Sequence, residues 1–183
     1  PKMMQEGNQK HSQSTLGLYI HVPFCSSTCD FCAFYQERPS KKKMESYFTG
    51  LQKEWKQANL AQPVDTVFVG GGTPGILQPD QLERLCEFIK GMGLGEKVEW
   101  TIELAPNEVT EEKLSVLHKG GVNRISLGVQ TFDAELMVAL GRKHGPEKVF
   151  RAYDMIRETG FKSVNLDLIF GIPHQTINQW ESD

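Results

Sequence analysis

The chain has 183 residues, with 20 basic against 23 acidic side chains and a formal charge of −3. At this length one domain with one real core is expected, and the near balance of charge gives no electrostatic footprint for nucleic acid or an anionic membrane. No apolar run approaches the ~20 residues that span a bilayer, the polar start lacks a signal peptide's apolar stretch, and four clustered cysteines are too few for a disulfide framework, so a soluble, cytoplasmic α/β domain is expected.

Residues 1–15 read as a polar N-terminal tail and residues 16–183 as the folded core. Leu16 to Val22 is a strand closed by Pro23, which holds Val22 extended. A helix follows from Lys41 to Ala58 with Ser40 as its N-cap, carrying Met44, Tyr47, Phe48, Leu51 and Trp55 at helical spacing. Val64 to Val69 is a second strand ending in Gly70, Gly71 and Gly72, and Leu77 to Met92 a second helix with Leu82, Leu85, Phe88 and Ile89 on one face. The third strand, Val98 to Leu104, alternates and so sets Glu99, Thr101 and Glu103 on one side. A short helix from Thr110 to Lys119, a strand from Val122 to Val129, a helical region from Asp133 to Thr159 broken near Gly145-Pro146, and a strand from Ser163 to Phe170 complete the pattern. Strands alternating with helices argue for parallel βαβ units with right-handed crossovers. Without a Rossmann fingerprint they fit a partial (β/α) barrel, cut off after its fifth strand. A start at Pro1 without Met and a stop at Asp183, at the beginning of a helix, suggest a piece of a longer chain.

Cys25, Cys29 and Cys32 form a C-x3-C-x2-C run directly after the first strand. Three thiolates on one short loop can converge on a metal centre, and three ligands on a [4Fe–4S] cube leave one iron open to a small molecule. The competing readings are three unpaired thiols or a zinc site with His21 as fourth ligand, although zinc pairs usually repeat at a distance. Cys86 lies among Leu82, Leu85, Phe88 and Ile89 and reads as a small core hydrophobe. Gly70, Gly71 and Gly72 permit close approach to the backbone; a plain tight turn and a phosphate loop are the alternatives, but no Gly-Lys-Ser/Thr follows for the latter. Glu103, Gln130 and Asp167 stand at or near the carboxyl ends of three strands, the end that carries function in a β/α barrel, and Arg142 is a carboxylate-binding guanidinium. Lys41, Lys42 and Lys43 read as a solvated surface, and His144 as a structural or exposed loop histidine.

The run Leu18 to Cys25 with its three-cysteine loop resembles the radical S-adenosylmethionine (SAM) superfamily. More narrowly it is similar to the group containing oxygen-independent coproporphyrinogen III oxidase and the heme chaperone HemW. Gly70 to Pro74, Gly121 to Gln130, Leu140 to Arg142 and Asn165 to Pro173 follow in that group's order, so the resemblance covers roughly residues 16–183. It implies a [4Fe–4S] cluster on Cys25, Cys29 and Cys32, and SAM held by Tyr19, Phe31, Gly71, Gly72, Thr73, Glu103, Gln130, Arg142 and Asp167. In that picture the glycine turn offers carbonyls to the SAM amino group and Phe31 lies against the adenine. The open iron would chelate SAM, and reductive cleavage would give a 5′-deoxyadenosyl radical that abstracts hydrogen from a substrate. The resemblance further implies heme or a porphyrin as partner and an electron donor such as flavodoxin or ferredoxin.

Within that group two functions diverge, an oxidase decarboxylating two propionates of coproporphyrinogen III and a chaperone handing heme to acceptors. The oxidase pattern has another cysteine two residues after the third cluster cysteine, where this chain has Phe34. The run Leu140 to Pro146 is more like the chaperone's, and the stretch before the first strand is short. The chaperone is therefore the main expectation and the oxidase the alternative, with a methyltransferase or heme-degrading relative as a third candidate.

Overall fold

Parallel strands need a crossover long enough to turn the chain back, and each strand here is followed by helix before the next begins. The computed structural model describes residues 15–58, 62–142 and 144–183; the expected tail, apart from Thr15, lies outside them. Strands β1 (Gly17–Val22), β2 (Val64–Gly71), β3 (Leu94–Leu104), β4 (Arg124–Gln130) and β5 (Ser163–Leu168) form one sheet in the order β1-β2-β3-β4-β5. Every neighbouring pair is parallel. With crossovers of one hand, sequential order puts the crossover helices on one face, the winding of a barrel rather than of a doubly wound sheet.

The helices are α1 (Lys41–Ala58), α2 (Pro79–Lys90), α3 (Glu111–Gly120), α4 (Ala134–Ala139), α5 (Pro146–Thr159) and α6 (Ile177–Ser182). α1 has the bounds its periodicity predicts, and Ser40 Oγ accepts the Lys43 N–H at 3.3 Å. α2 begins at Pro79 rather than Leu77, because Pro74–Ile76 form a separate 3-10 turn and Gln78 caps the helix reciprocally with Gln81. The expected start of β4 at Val122 moves to Arg124. Asn123 instead spends its side chain on strand β3, accepting from the Trp100 N–H and donating to the Val98 carbonyl. β3 begins earlier than expected, pairing Leu94 with Val64. β5 stops at Leu168 instead of Phe170.

Alternation divides the sheet into two faces. Ile20, Val22, Val67, Val69, Trp100, Ile102, Leu104, Ile125, Leu127 and Val129 are buried in the core shared with Leu82, Leu85, Ile89, Leu114 and Leu117 of α2 and α3. Cys86 lies in that core as expected, and burial pushes its thiol up to about 12, so it is an inert packing group. The other face carries Tyr19, His21, Phe68, Glu103, Ser126 and Asp167, whose in-register neighbours include Gly70 beside His21 and Gly128 beside Asp167. Apolar residues thus anchor the sheet to its helices while polar ones are left for the opposite side.

Ile102 sits at the centre of β3 and is 1% exposed. Ile102→Ala is expected to lower unfolding stability by about 2–5 kcal/mol in urea titration. Val138→Ala, at a position 73% exposed, should stay within about 0.5 kcal/mol.

Candidate functional site

Because the strands are parallel, their last residues all meet one rim, and the loop after β1 hangs over it. That loop is pinned at its base: the Cys25 N–H donates to the Glu37 carbonyl at 3.1 Å and the Glu37 N–H to the Pro23 carbonyl at 2.6 Å. Phe24 is buried between them, edge-on to Tyr47 at 5.7 Å. Glu37 also pairs with Lys43 at 2.7 Å and accepts from the Tyr35 hydroxyl, so one member of the Lys41–Lys43 run ties the loop to α1. Cys25, Cys29 and Cys32 are all free and half-buried, and all three line one cleft. Cys25 Sγ lies 3.3 Å from Thr73 Oγ1. Burial pushes the Cys25 thiol up; the Thr73 hydroxyl opposes this, Cys32 and Cys29 add to it, and Arg142 opposes it.

The zinc alternative asks for a fourth donor beside the three cysteines. His21, the fourth ligand considered for zinc, is occupied elsewhere, with Nδ1 3.1 Å from the Tyr19 hydroxyl and Nε2 3.3 Å from the Tyr35 carbonyl.

The glycine turn after β2 wedges into this loop. A Cβ on Gly70 would stand 2.7 Å from Glu103 Oε2, and one on Gly72 2.7 Å from the Phe24 carbonyl oxygen. Gly71 has φ +115° with the His21 ring beside it, a backbone state that only glycine adopts cheaply. The Gly71 N–H donates to Glu103 Oε2 at 3.0 Å, the Gly72 N–H to the Val22 carbonyl and the Thr73 N–H to the Phe24 carbonyl, both at 2.8 Å. A phosphate loop needs those N–H groups free, so that alternative fails here.

Glu103 and Asp167 form the floor. Asp167 is held from both sides, accepting from Ser126 Oγ at 2.8 Å and Asn165 Nδ2 at 2.6 Å. Burial pushes the Glu103 carboxyl above its ordinary value of 4.5; the Gly71 N–H opposes this, the Asp167 carboxylate adds to it, and His21 opposes it. Gln130 ends β4 at φ +77°, a strained state for a side-chain-bearing residue, and its Nε2 folds back over the Cα of Gly128. Arg142 follows α4 on a turn whose Gly141, at φ +73°, leaves 2.9 Å between a hypothetical Cβ and the Asp30 carboxylate. Its Nη2 donates to the Gly128 carbonyl at 3.3 Å and its guanidinium stands 5.7 Å from the Phe31 ring centre. Arg142 Nε is buried with no hydrogen-bond partner among the described residues, an orphan donor at the edge of a cleft.

Of the expected site residues, Cys25, Cys29, Cys32, Phe31, Gly71, Gly72, Thr73, Glu103, Gln130, Arg142 and Asp167 all line this cleft. Tyr19 does not. It lies three residues before the end of β1, about 10 Å up the strand at 3.3 Å per residue, with its ring over Phe68, and it borders a separate apolar cavity beside Tyr47, Leu51 and Trp55. His144 also stays out of the cleft lining; burial pushes its pKa down. Ser126 and Asn165 escaped the sequence reading. The alternation of β4 and β5 could have revealed them, since both share a face with Asp167.

A family model for the radical SAM superfamily matches residues 19–183. The heme chaperone HemW of Bacillus subtilis is 38% identical over 168 residues, which cover 89% of this chain and 44% of that protein. An oxygen-independent coproporphyrinogen III oxidase of Paracoccus denitrificans is 37% identical over 88% of this chain and 37% of its own. The solved coproporphyrinogen III oxidase HemN of Escherichia coli superposes with a TM-score of 0.82 at 32% identity, over 92% of this chain and 40% of that one. The chain thus spans less than half the length of these relatives.

The half-buried floor carries its own pH signature. Between the ordinary carboxylate value and the raised value of folded Glu103, the folded protein holds more protons than the unfolded chain, so this group costs stability as pH rises. Glu103→Gln is expected to raise Tm at about pH 7 and to leave it unchanged near pH 4. Thermal unfolding at both pH values checks this, and an equal gain at each would sink it.

Proposed function

The chain belongs to the radical SAM superfamily, and on that premise we propose that the whole protein is a HemW-type heme chaperone, binding heme and delivering it to acceptors. Its cofactors are those of the superfamily, a [4Fe–4S] cluster and SAM. The donor set suits them, with three soft thiols on one loop and an orphaned guanidinium N–H at the cleft edge. When bound, the cluster supplies the electron that cleaves the SAM sulfonium, so the hard chemistry is the cofactor's.

In this reading Cys25, Cys29 and Cys32 hold three irons, and Thr73 beside Cys25 braces the first of those ligands. Arg142 receives the SAM carboxylate through the N–H that has no partner among the described residues. The carbonyls of Gly71 and Gly72 face the amino group, since their N–H groups are already spent. Glu103, Asp167 and Gln130 serve the ribose and amino-acid polar groups, and Phe31 flanks the purine. Tyr19 would contribute only through a contact beyond the cleft lining.

The observation that carries the chaperone reading is Phe34. It lines the cleft two residues after Cys32 and is 68% exposed, an apolar ring where the oxidase pattern has a further cysteine. The HemW relative supports the same choice. A coproporphyrinogen III oxidase is the second reading, favoured by the close superposition on HemN. Either function takes heme or a porphyrin, needs an electron donor such as flavodoxin or ferredoxin, and places the protein in the cytoplasm; among the described residues no helix is long and apolar enough to cross a membrane. Heme retained by the full-length protein without turnover of coproporphyrinogen III supports the chaperone, and turnover establishes the oxidase.

After anaerobic reconstitution with iron and sulfide, changing any one of Cys25, Cys29 or Cys32 to Ala is expected to abolish the charge-transfer band and the complement of about four irons. Arg142→Ala should keep the iron and weaken SAM binding about tenfold or more, the scale of a charge-assisted hydrogen bond. Calorimetric titration with SAM reads this directly, and unchanged affinity would remove Arg142 from the site.

A further inference from the structure

The first turn of α3 contains a side chain that local rules disfavour. Lys113 is only 7% exposed and occupies the N3 position of the helix, after the Thr110 cap, where a positive charge opposes the helix dipole. Lysine is rarely buried unless paired. Here its Nζ donates to the Gly75 carbonyl at 2.6 Å and to Glu108 Oε2 at 3.2 Å. Glu108 itself ends the 3-10 turn Pro106–Glu108 that follows β3.

Gly75 belongs to the 3-10 turn directly behind the glycine turn of the cleft. Its Cα is wedged between Glu108 and Leu104, with a hypothetical Cβ only 2.8 and 3.0 Å from them. The same 3-10 turn holds the Thr73 carbonyl through the Ile76 N–H at 2.9 Å. Thr73 in turn meets Phe24 by its N–H and Cys25 by its hydroxyl. One ammonium group behind the sheet rim is therefore connected, through the three residues Thr73 to Gly75, to the part of the cleft that faces the first cysteine.

We propose that Lys113 is a positioning residue for SAM: its bond to the Gly75 carbonyl holds the Gly71–Thr73 turn in the conformation that receives the ligand. This rests on the SAM-binding reading given above. Glu108 has the lesser part of keeping the buried ammonium paired. The inference therefore separates two variants that a purely structural ion pair would make equivalent. Lys113→Met removes the donor to Gly75, whereas Glu108→Gln keeps that donor and weakens only the pair.

In the cluster-loaded chain, Lys113→Met is expected to keep its iron, raise the Kd for SAM about tenfold, and speed amide exchange at Thr73 and Ile76 about tenfold. Glu108→Gln should lower Tm yet leave the Kd within about twofold, and Lys113→Arg, which retains a donor, should stay within about threefold. Wild-type SAM affinity and exchange in a folded Lys113→Met variant overturn the proposal. So does an equal loss of affinity in Glu108→Gln, or a tenfold loss in Lys113→Arg, which also decides the matter should Lys113→Met fail to fold. A wild-type chain that loads iron but does not bind SAM would instead bring down the SAM reading itself and this inference with it.

Discussion

The uniform direction of the five strands is the constraint on which everything else in this molecule depends. In a parallel sheet every chain leaves at the same edge, so five loops of separate sequence origin arrive at one rim. The cysteine loop, the glycine turn, Glu103, Gln130 and Asp167 are scattered between residues 25 and 167, yet they border a single cleft. No local interaction could assemble them. The apolar residues that pack the opposite face against α2, α3 and α5 supply the burial that makes this arrangement stable.

At the rim, packing is governed by the absence of side chains. Gly70, Gly72 and Gly141 each stand where a single added carbon would strike a carboxylate or a backbone carbonyl of a neighbouring segment. The Gly72 and Gly141 contacts set the glycine turn against Phe24 and the Arg142 turn against Asp30 of the cysteine loop, and the Gly70 contact sets the turn against Glu103. Gln130 shows the complementary device. Its positive φ coincides with a register shift between β4 and β5, and the local strain turns its amide inward over Gly128 instead of along the strand.

The floor of the cleft sacrifices stability for a polar surface. The Asp167 carboxylate disfavours the charge on Glu103, which among the described residues is supported by the Gly71 N–H and, more weakly, by His21. Ser126 and Asn165 relieve Asp167 but not its partner. Such an arrangement is unfavourable in isolation and favourable opposite a cationic ligand. SAM, with its sulfonium and ammonium groups, has that character.

The sequence alone determined the order and type of nearly every element, because helical spacing such as that from Met44 to Trp55 and alternation such as that from Glu99 to Glu103 are local patterns. It also identified the three cysteines and the glycine turn, since both are contiguous and chemically distinctive. Boundaries moved where a side chain took over a backbone partner, as Asn123 did at the start of β4, or where a 3-10 turn intervened before α2. Only the tertiary structure decided that Tyr19 stays up the strand from the cleft, that Ser126 and Asn165 brace Asp167, and that Lys113 reaches Gly75 across 38 positions of sequence. The reason is physical: spacing along the chain sets which face a residue occupies, whereas the distance between faces of different elements exists only once the sheet has packed against its helices.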